Sequence, residues 1–372
     1  MAHGTMTQKE AFEYVRNAPH IKKVREGNYK PGAWFYAEPG DGSGLWQDWG
    51  VKATPGKRGL TFLDTAKVDA PPPLEAPDRA IIRGSGVDGA LPIQEYAASK
   101  RHQVWAENVV ALYEEATSRQ WVASRDIPWD KLTPLPKDQE KAYCQIVSHL
   151  ARVEYIAADV LGGFLPKIAS AFHEVKLFLI TQSMDEARHT EVFRKRALAN
   201  GGGIAPNFSN MNPAYHEMKH GQLSRFQDTS FLLFLAEGFA LDLFRFAEFL
   251  GKTETDKVIF SRVMQDEARH VSYHTMRTAY DLANNPNREG EILHLHALCD
   301  RTEAEMFIWD FLNPHFMEAG AILAAGSVDK IDKGYDSIRL LYSKIREEYL
   351  RRCERIGFNR RERCMVPEEP PF

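Results

Sequence analysis

From about residue 96 to 356, apolar residues recur every three or four positions, the period of helices buried on one face. "EYAASKRHQVWAENVVALYEEATSRQWVAS" predicts a first helix, ended by "DIPWDKLTPLP". A second is expected over about 137–161, where "PKDQEKAY" sets acidic residues at a helix N-terminus. "GGFLP" at 162–166 breaks the pattern, and a third helix over about 168–199 ends at "NGGG". After the loop "APNFSNMNP" come a fourth helix at roughly 215–250 and a fifth at 254–284, closed by "NNPN". Two more are predicted near 288–318 and 334–356. Strand signals are almost absent, so the body reads as an all-α helical bundle.

Residues 1–95 follow another pattern. "KPGAWFYAEPGDGSGLWQDWG" and "DAPPPLEAPDRAIIRGSGVDGALP" are rich in Gly, Pro and Asp, which break helices and favour turns. Trp34, Phe35, Tyr36, Trp46 and Trp49 argue against full disorder. The expected organisation is an extended arm over 1–95 and a helical domain over 96–372, with its core at 137–285.

Composition narrows the class. The 372 residues are 44% apolar, enough for a sizeable core. Mean hydropathy is −0.41, and no uncharged apolar run approaches the ~20 residues of a membrane span. The start "MAHGTMTQKEAF" lacks the parts of a secretory signal. A net charge of −4 argues against a dedicated nucleic-acid partner. Cys144, Cys299, Cys353 and Cys364 are far apart and form no C-x-x-C pair, as expected of a reduced, cytoplasmic protein.

Two of the long helical runs carry the same five residues. "SMDEARHTEVF" at 183–193 and "MQDEARHVSYH" at 264–274 both contain Asp-Glu-Ala-Arg-His, 81 residues apart. Residues three apart share a helix face, so Glu186 and His189 can hold one metal ion together, and Glu267 and His270 another. A bundle that opposes two Glu-x-x-His pairs and adds one glutamate from each of two further helices builds a di-iron or di-manganese carboxylate site. The hypothesis therefore requires a glutamate at matching depth on the helix before each repeat. Antiparallel helices joined by a short turn place residues equidistant from the turn at one height. From "GKTE" at 251–254, Glu267 lies about 15 residues on, or ~22 Å along the axis at ~1.5 Å per residue. "FLAEGFAL" puts Glu237 at that depth on the other side. The connection before the first repeat is less symmetrical and predicts a mate around 145–155, where Glu154 is the only carboxylate.

Hard carboxylates suit iron, and imidazole supplies one neutral nitrogen to each metal. A metal-binding histidine also wants a carboxylate on its other ring nitrogen. Asp185 and Asp266 are placed to serve the histidine of the opposite helix, and Arg188 and Arg269 to neutralise part of the buried charge. A single Glu-x-x-His on a helix is common and usually binds nothing. Two inside an identical pentapeptide, each with a mate at the expected depth, would otherwise bury carboxylates at a heavy desolvation cost. His274, four residues past His270, reads as a core histidine beside the site rather than a ligand. Phe234 and Leu241 in the stripe "FLLFLAEGFALDLFRFAEFL", with Phe193 and Ala158, are candidates for lining an apolar substrate pocket.

The Glu…DEARH…Glu…DEARH pattern, over roughly 137–285, resembles the ferritin-like carboxylate-bridged di-iron superfamily. Within it, "HLARVEYIAADVL" and "AEGFALDLF" are most similar to hydroxylase α-subunits of bacterial multicomponent monooxygenases and their smaller relatives. The resemblance implies a ferritin-like four-helix bundle with extra flanking helices. It implies Glu154, Glu186 and His189 on one iron, and Glu237, Glu267 and His270 on the other. A mixed iron–manganese pair would use the same ligands. The chain also departs from known members. Ribonucleotide reductase small subunits carry a radical tyrosine where this chain has Phe193, and arylamine N-oxygenases an added histidine where it has Val263. Multicomponent hydroxylases have a threonine at the place of Leu241, and acyl-carrier desaturases one at Ala240.

The expected activity is that of an O2-activating monooxygenase acting on a small, largely apolar molecule, with electrons from a reductase or ferredoxin. A homodimer is expected from the long arm and the large helical faces. The alternatives are desaturation or N-oxygenation at the same site, or a non-catalytic iron-binding or storage bundle.

Overall fold

The computed structural model describes residues 7–31, 35, 50–85, 93–206, 225–306 and 313–370. The chain divides into two compact units, one formed by 1–51 and 84–91 and the other by 52–83 and 92–372. The first holds α1 (Gln8–Arg16) and α2 (Pro19–Arg25). A capping box starts α1: Thr7 N–H donates to Glu10 Oε2 at 2.7 Å, and Glu10 N–H to Thr7 Oγ1 at 3.3 Å. Phe35 is exposed, while Trp34, Tyr36, Trp46 and Trp49 lie outside the described residues.

The second unit contains α3 (Phe62–Ala66), α4 (Arg101–Val104), α5 (Val109–Ser118), α6 (Lys137–Phe164) and α7 (His173–Ala199). They are followed by α8 (Phe226–Leu250), α9 (Glu254–Asn284), α10 (Arg288–Met306), α11 (Pro314–Ala325) and α12 (Ile331–Arg355). No β-strand forms among the described residues, only isolated bridges such as Ala98 with Ile168. Stretches expected to be extended thus include three short helices, and α3, like α1, owes its start to a capping box, here Thr61 with Asp64.

Four long helices, α6 to α9, make the core. Arg196 of α7 reaches Glu140 of α6 at 2.7 Å and also pairs with Asp256 of α9, while the 154 and 186–189 levels meet further along. These contacts run in opposite sequence directions, so α7 is antiparallel to both neighbours. Phe244 against Phe260 and Ser230 against His274 show the same for α8 and α9. The sharp reversal between them follows from Gly251 and from the Thr253–Asp256 capping box that opens α9. Of three apolar clusters, that around Phe231, Phe234, Leu298 and Tyr349 joins α8 to α10 and α12; the other two fill the bundle, one around Leu150, Phe193, Phe244 and Phe260, the other around Leu161, Phe178, Phe226 and Tyr273. Between them lies a layer of charged side chains.

Several boundaries differ from the periodic reading. The expected first helix is split into α4 and α5 by an extended Trp105. The break seats Val104, Trp105, Ala106 and Val109 in the core, and the carbonyl freed at Val104 accepts from Tyr273 Oη at 2.7 Å. Helix α6 continues through Gly162 and Gly163 and ends only before Pro166, which lacks an N–H to continue it. Helix α7 starts at His173 rather than near 168, because Ala169 N–H donates to Ala98 O at 3.0 Å in a short bridge. The run expected at 288–318 is two helices, the second entered through an Asn313 cap followed by Pro314. Of the predicted fourth helix, 226–250 is observed and 215–224 lies outside the described residues.

Candidate metal centre

Glu154 of α6, Glu186 and His189 of α7, Glu237 of α8, and Glu267 and His270 of α9 converge in the charged layer. Glu154 and Glu237 are 5% exposed and the other four 1% or less. They form two overlapping groups, Glu154–Glu186–His189–Glu267 and Glu186–Glu237–Glu267–His270, in each of which one donor atom per residue lies within 4.8 Å of the rest. Glu186 and Glu267 belong to both. His189 Nδ1 is 3.3 Å from Glu186 Oε2 and 3.1 Å from Glu267 Oε1. His270 Nδ1 is 3.2 Å from Glu186 Oε1 and 3.4 Å from Glu267 Oε2. Each of these two carboxylates therefore turns one oxygen toward each histidine, the disposition of a shared ligand rather than of one glutamate per metal.

The far nitrogens are held across the bundle. His189 Nε2 is 3.2 Å from Asp266 Oδ2, and His270 Nε2 is 3.2 Å from Asp185 Oδ2. Arg188 pairs with Asp185 and, at 2.8 Å, with Asp266; Arg269 reaches Asp185 at 3.0 Å and Asp266 at 2.5 Å. The repeat thus generates a nearly two-fold frame in which each aspartate steadies the opposite histidine. One residue breaks that symmetry. Trp121, in the non-helical stretch after α5, donates its Nε1–H to Asp266 Oδ2 at 2.8 Å and lies parallel to the His189 ring. Nothing in the periodicity marks Trp121. Gln182 was also missed, although its place one turn before Glu186 is legible as Gln-x-x-x-Glu-x-x-His.

Electrostatics follow from burial and crowding. Burial first, and repulsion from Glu267 and Glu186 next, holds the Glu154 carboxyl well above the usual carboxylate range. Burial does the same to Glu237. Glu186 is also desolvated, but the charges of His270 and His189 outweigh that and lower it. Burial disfavours the charged forms of both histidines, yet the surrounding carboxylates win and raise them, Asp266 contributing most at His189 and Glu186 most at His270. Four oxygens here, Glu186 Oε1 and Oε2, Glu237 Oε2 and Glu267 Oε1, are buried with no hydrogen-bond partner among the described residues. A buried carboxylate oxygen normally has one. A pair of divalent cations is the chemistry such a set of oxygens and inward-facing imidazole nitrogens accepts.

His274 is not among these groups; its Nδ1 lies 2.8 Å from Ser230 Oγ and its Nε2 3.2 Å from Gln182 Nε2. A separate acid–histidine group, Asp69, His173 and Glu174, is filled by the Arg83 guanidinium, which donates to Glu174 at 2.9 Å and Asp69 at 3.0 Å. Phe193 and Phe234 are fully buried in the core, while Leu241 and Ala158 are half-buried. The apolar pocket that the structure describes lies toward the α8–α9 turn and is lined by Tyr143, Leu243, Ala247, Phe260, Phe316 and Ile338 among others. None of those four expected residues lines it, but the Phe193 ring sits 5.8 Å from that of Phe260.

One glutamate from each of two helices and a Glu-x-x-His pair from each of two others, all pointing into an antiparallel bundle, define the ferritin-like carboxylate proteins. This chain has that fold and that arrangement. No protein-family model and no curated protein matches it. Among solved structures it is similar to mutants of an R2-like ligand-binding oxidase. One with an aerobically reconstituted Mn/Fe cofactor is 18% identical, covers 67% of this chain and 97% of its own, and has a TM-score of 0.46. Another, with an aerobically reconstituted Fe/Fe cofactor, is 16% identical over 67% and 93%, with a TM-score of 0.42.

Proposed function

We propose that this chain is a dimetal oxidoreductase of the monooxygenase type. Glu154, Glu186, His189, Glu237, Glu267 and His270 would hold two iron ions, or one iron and one manganese. The substrates would be O2 and a small, largely apolar organic molecule, with electrons from a separate reductase or ferredoxin. A homodimer in the cytoplasm, with an arm over 1–95 and a helical domain over 96–372, belongs to the same proposal. The observation that carries it is the group of buried, unpartnered carboxylate oxygens set against two inward-facing imidazole nitrogens.

The metal ions supply the electron chemistry with O2 that side chains lack. The chain's own residues do the rest. Asp266 and Asp185 accept the Nε2–H of His189 and His270, which leaves each Nδ1 lone pair directed inward. Arg188 and Arg269 offset the two aspartates, so the four glutamates remain as charge matched by two divalent cations. Phe193, one turn past His189, packs at a tilt against Phe244 and Phe260 and makes that side of the layer apolar. Among the described residues no helix is long and apolar enough to cross a membrane.

The test is metal stoichiometry after anaerobic ferrous loading, followed by exposure to labelled O2 with reductant and candidate substrates. The parent should take up about two irons per chain, and Glu186→Ala fewer than about one, because Glu186 belongs to both groups. Label in the organic product supports oxygen insertion. Little iron in the parent, or no change in the variant, would reduce the repeat to packing.

A further inference from the structure

The two ends of the charged layer are built differently. Gln182, on α7, is fully buried. Its Nε2 donates to Glu237 Oε1 at 2.7 Å and lies 3.2 Å from His274 Nε2. His274 is itself fully buried, with Nδ1 2.8 Å from Ser230 Oγ. A side-chain amide nitrogen carries two protons and no lone pair to share. Pointing one at Glu237 and one at His274 makes His274 Nε2 the acceptor, so the proton of that ring sits on Nδ1 and is donated to Ser230. The chain Ser230–His274–Gln182–Glu237 therefore crosses from α8 to α9 to α7 and back to α8.

Among the described residues no other glutamate of the layer is bonded to a side-chain amide. Both oxygens of Glu186 and Oε1 of Glu267 have no hydrogen-bond partner among the described residues. At the opposite end, Glu154 Oε2 meets His189 Nδ1 at 3.4 Å. Glu267 Oε2 likewise meets His270 Nδ1, at 3.4 Å, but among the described residues Glu237 is the one glutamate of the layer with an oxygen tied to a side-chain amide, at 2.7 Å, while its Oε2 has no hydrogen-bond partner. A tied carboxylate can present only its free oxygen, in one direction; an untied one must be ordered when an ion arrives.

We infer that Gln182 is a positioning residue that makes the two metal subsites unequal: it holds Glu237 by Oε1, pre-organising the Glu237–His270 subsite as the tighter one and leaving the Glu154–His189 subsite adaptable. The inference rests on the dimetal reading above and concerns which subsite fills first. Residues that orient metal ligands typically contribute about 10–100-fold in affinity, and pre-organisation acts by removing an ordering cost at binding.

The experiment is an anaerobic Mn(II) titration of the full chain, with free Mn(II) read by its EPR signal and bound Mn(II) by the loss of that signal. The parent should bind two ions with separated affinities. Gln182→Met, which keeps the side-chain length and removes the donor, should weaken the tighter subsite about 10–100-fold and bring the two affinities together. Unchanged affinities in a folded Gln182→Met protein, or equal losses at both subsites, would overturn the inference. If that variant does not fold, Ser230→Ala is read instead; loosening the far anchor should weaken the same subsite several-fold, and no selective change would overturn the inference equally. A parent that binds no Mn(II) overturns the dimetal reading itself, whereas two equal sites in the parent overturn only the role of Gln182.

Discussion

His149, five residues before Glu154 on α6, is buried like the histidines of the charged layer and behaves oppositely. Burial first, and the charge of Arg152 second, pushes its pKa down to about 4. His189 and His270, equally desolvated but ringed by carboxylates, are pushed up. The charge of a buried imidazole is decided by the oxygens around it. The His149 ring packs on Phe316, 4.9 Å between centroids, and stays neutral in the fold, while an unfolded histidine takes a proton below about pH 6.5. Here the folded pKa is the lower one, so the unfolded state binds more protons and stability falls as pH drops from about 6.5 toward 4. At pH 5 this term should cost about 2 kcal/mol. Urea unfolding at pH 7 and pH 5 checks it: His149→Phe, which keeps the packing, should lose about that much less than the parent. The residues of the layer were legible because a pentapeptide recurs. Trp121 and Ser230 were not, since a single donor in a loop or an apolar helix leaves no periodic trace.

At the scale of elements, periodicity located the long helices well and their ends poorly. Glycines predicted to stop α6 do not, because Gly162 and Gly163 face solvent and the backbone bonds form regardless. Conversely, α4 and α5 are separate because burying Trp105 and satisfying the Val104 carbonyl through Tyr273 favour a break that local pattern does not show. Two glycines where α11 meets α12 test the packing directly. A methyl group on Gly334 would lie 1.9 Å from the Ala321 carbonyl oxygen, a backbone atom that cannot move without shifting α11. A methyl on Gly320 would meet only Ile338 Cδ1, at 2.8 Å, and that side chain can turn. Gly334→Ala should therefore destabilise by about 3 kcal/mol or more and Gly320→Ala by about 1 kcal/mol, on the scale of overpacked cores. Thermal melting of the two variants ranks them, and equal losses would show that the helices slide apart freely.

At the scale of the whole molecule, the charged layer joins all four long helices between two apolar clusters. Without cations, the layer buries four glutamates and two aspartates against two arginines and two histidines. Any ion that binds the folded layer and not the unfolded chain stabilises the fold by mass action, about 2.7 kcal/mol per site at 100 times Kd. Melting in excess Mn(II) should therefore occur well above melting in chelator, and the gap should shrink in Glu186→Ala. An identical melting point in both solutions would mean that the layer holds no ion.

By itself, the sequence determined the helices of the body and the depth at which six ligand-type side chains meet. Both follow from local geometry: burial on one face repeats with the helix period, and a constant rise converts residue counts from a turn into height. Only the tertiary structure decided what each oxygen does. Glu186 and Glu267 belong to both side-chain groups because α7 and α9 bring His189 and His270 to opposite sides of them. Glu237 is tied because Gln182, His274 and Ser230 arrive from three helices. A hydrogen-bond partner is chosen by distance and direction in space, and residues far apart in the chain acquire those only when the helices pack.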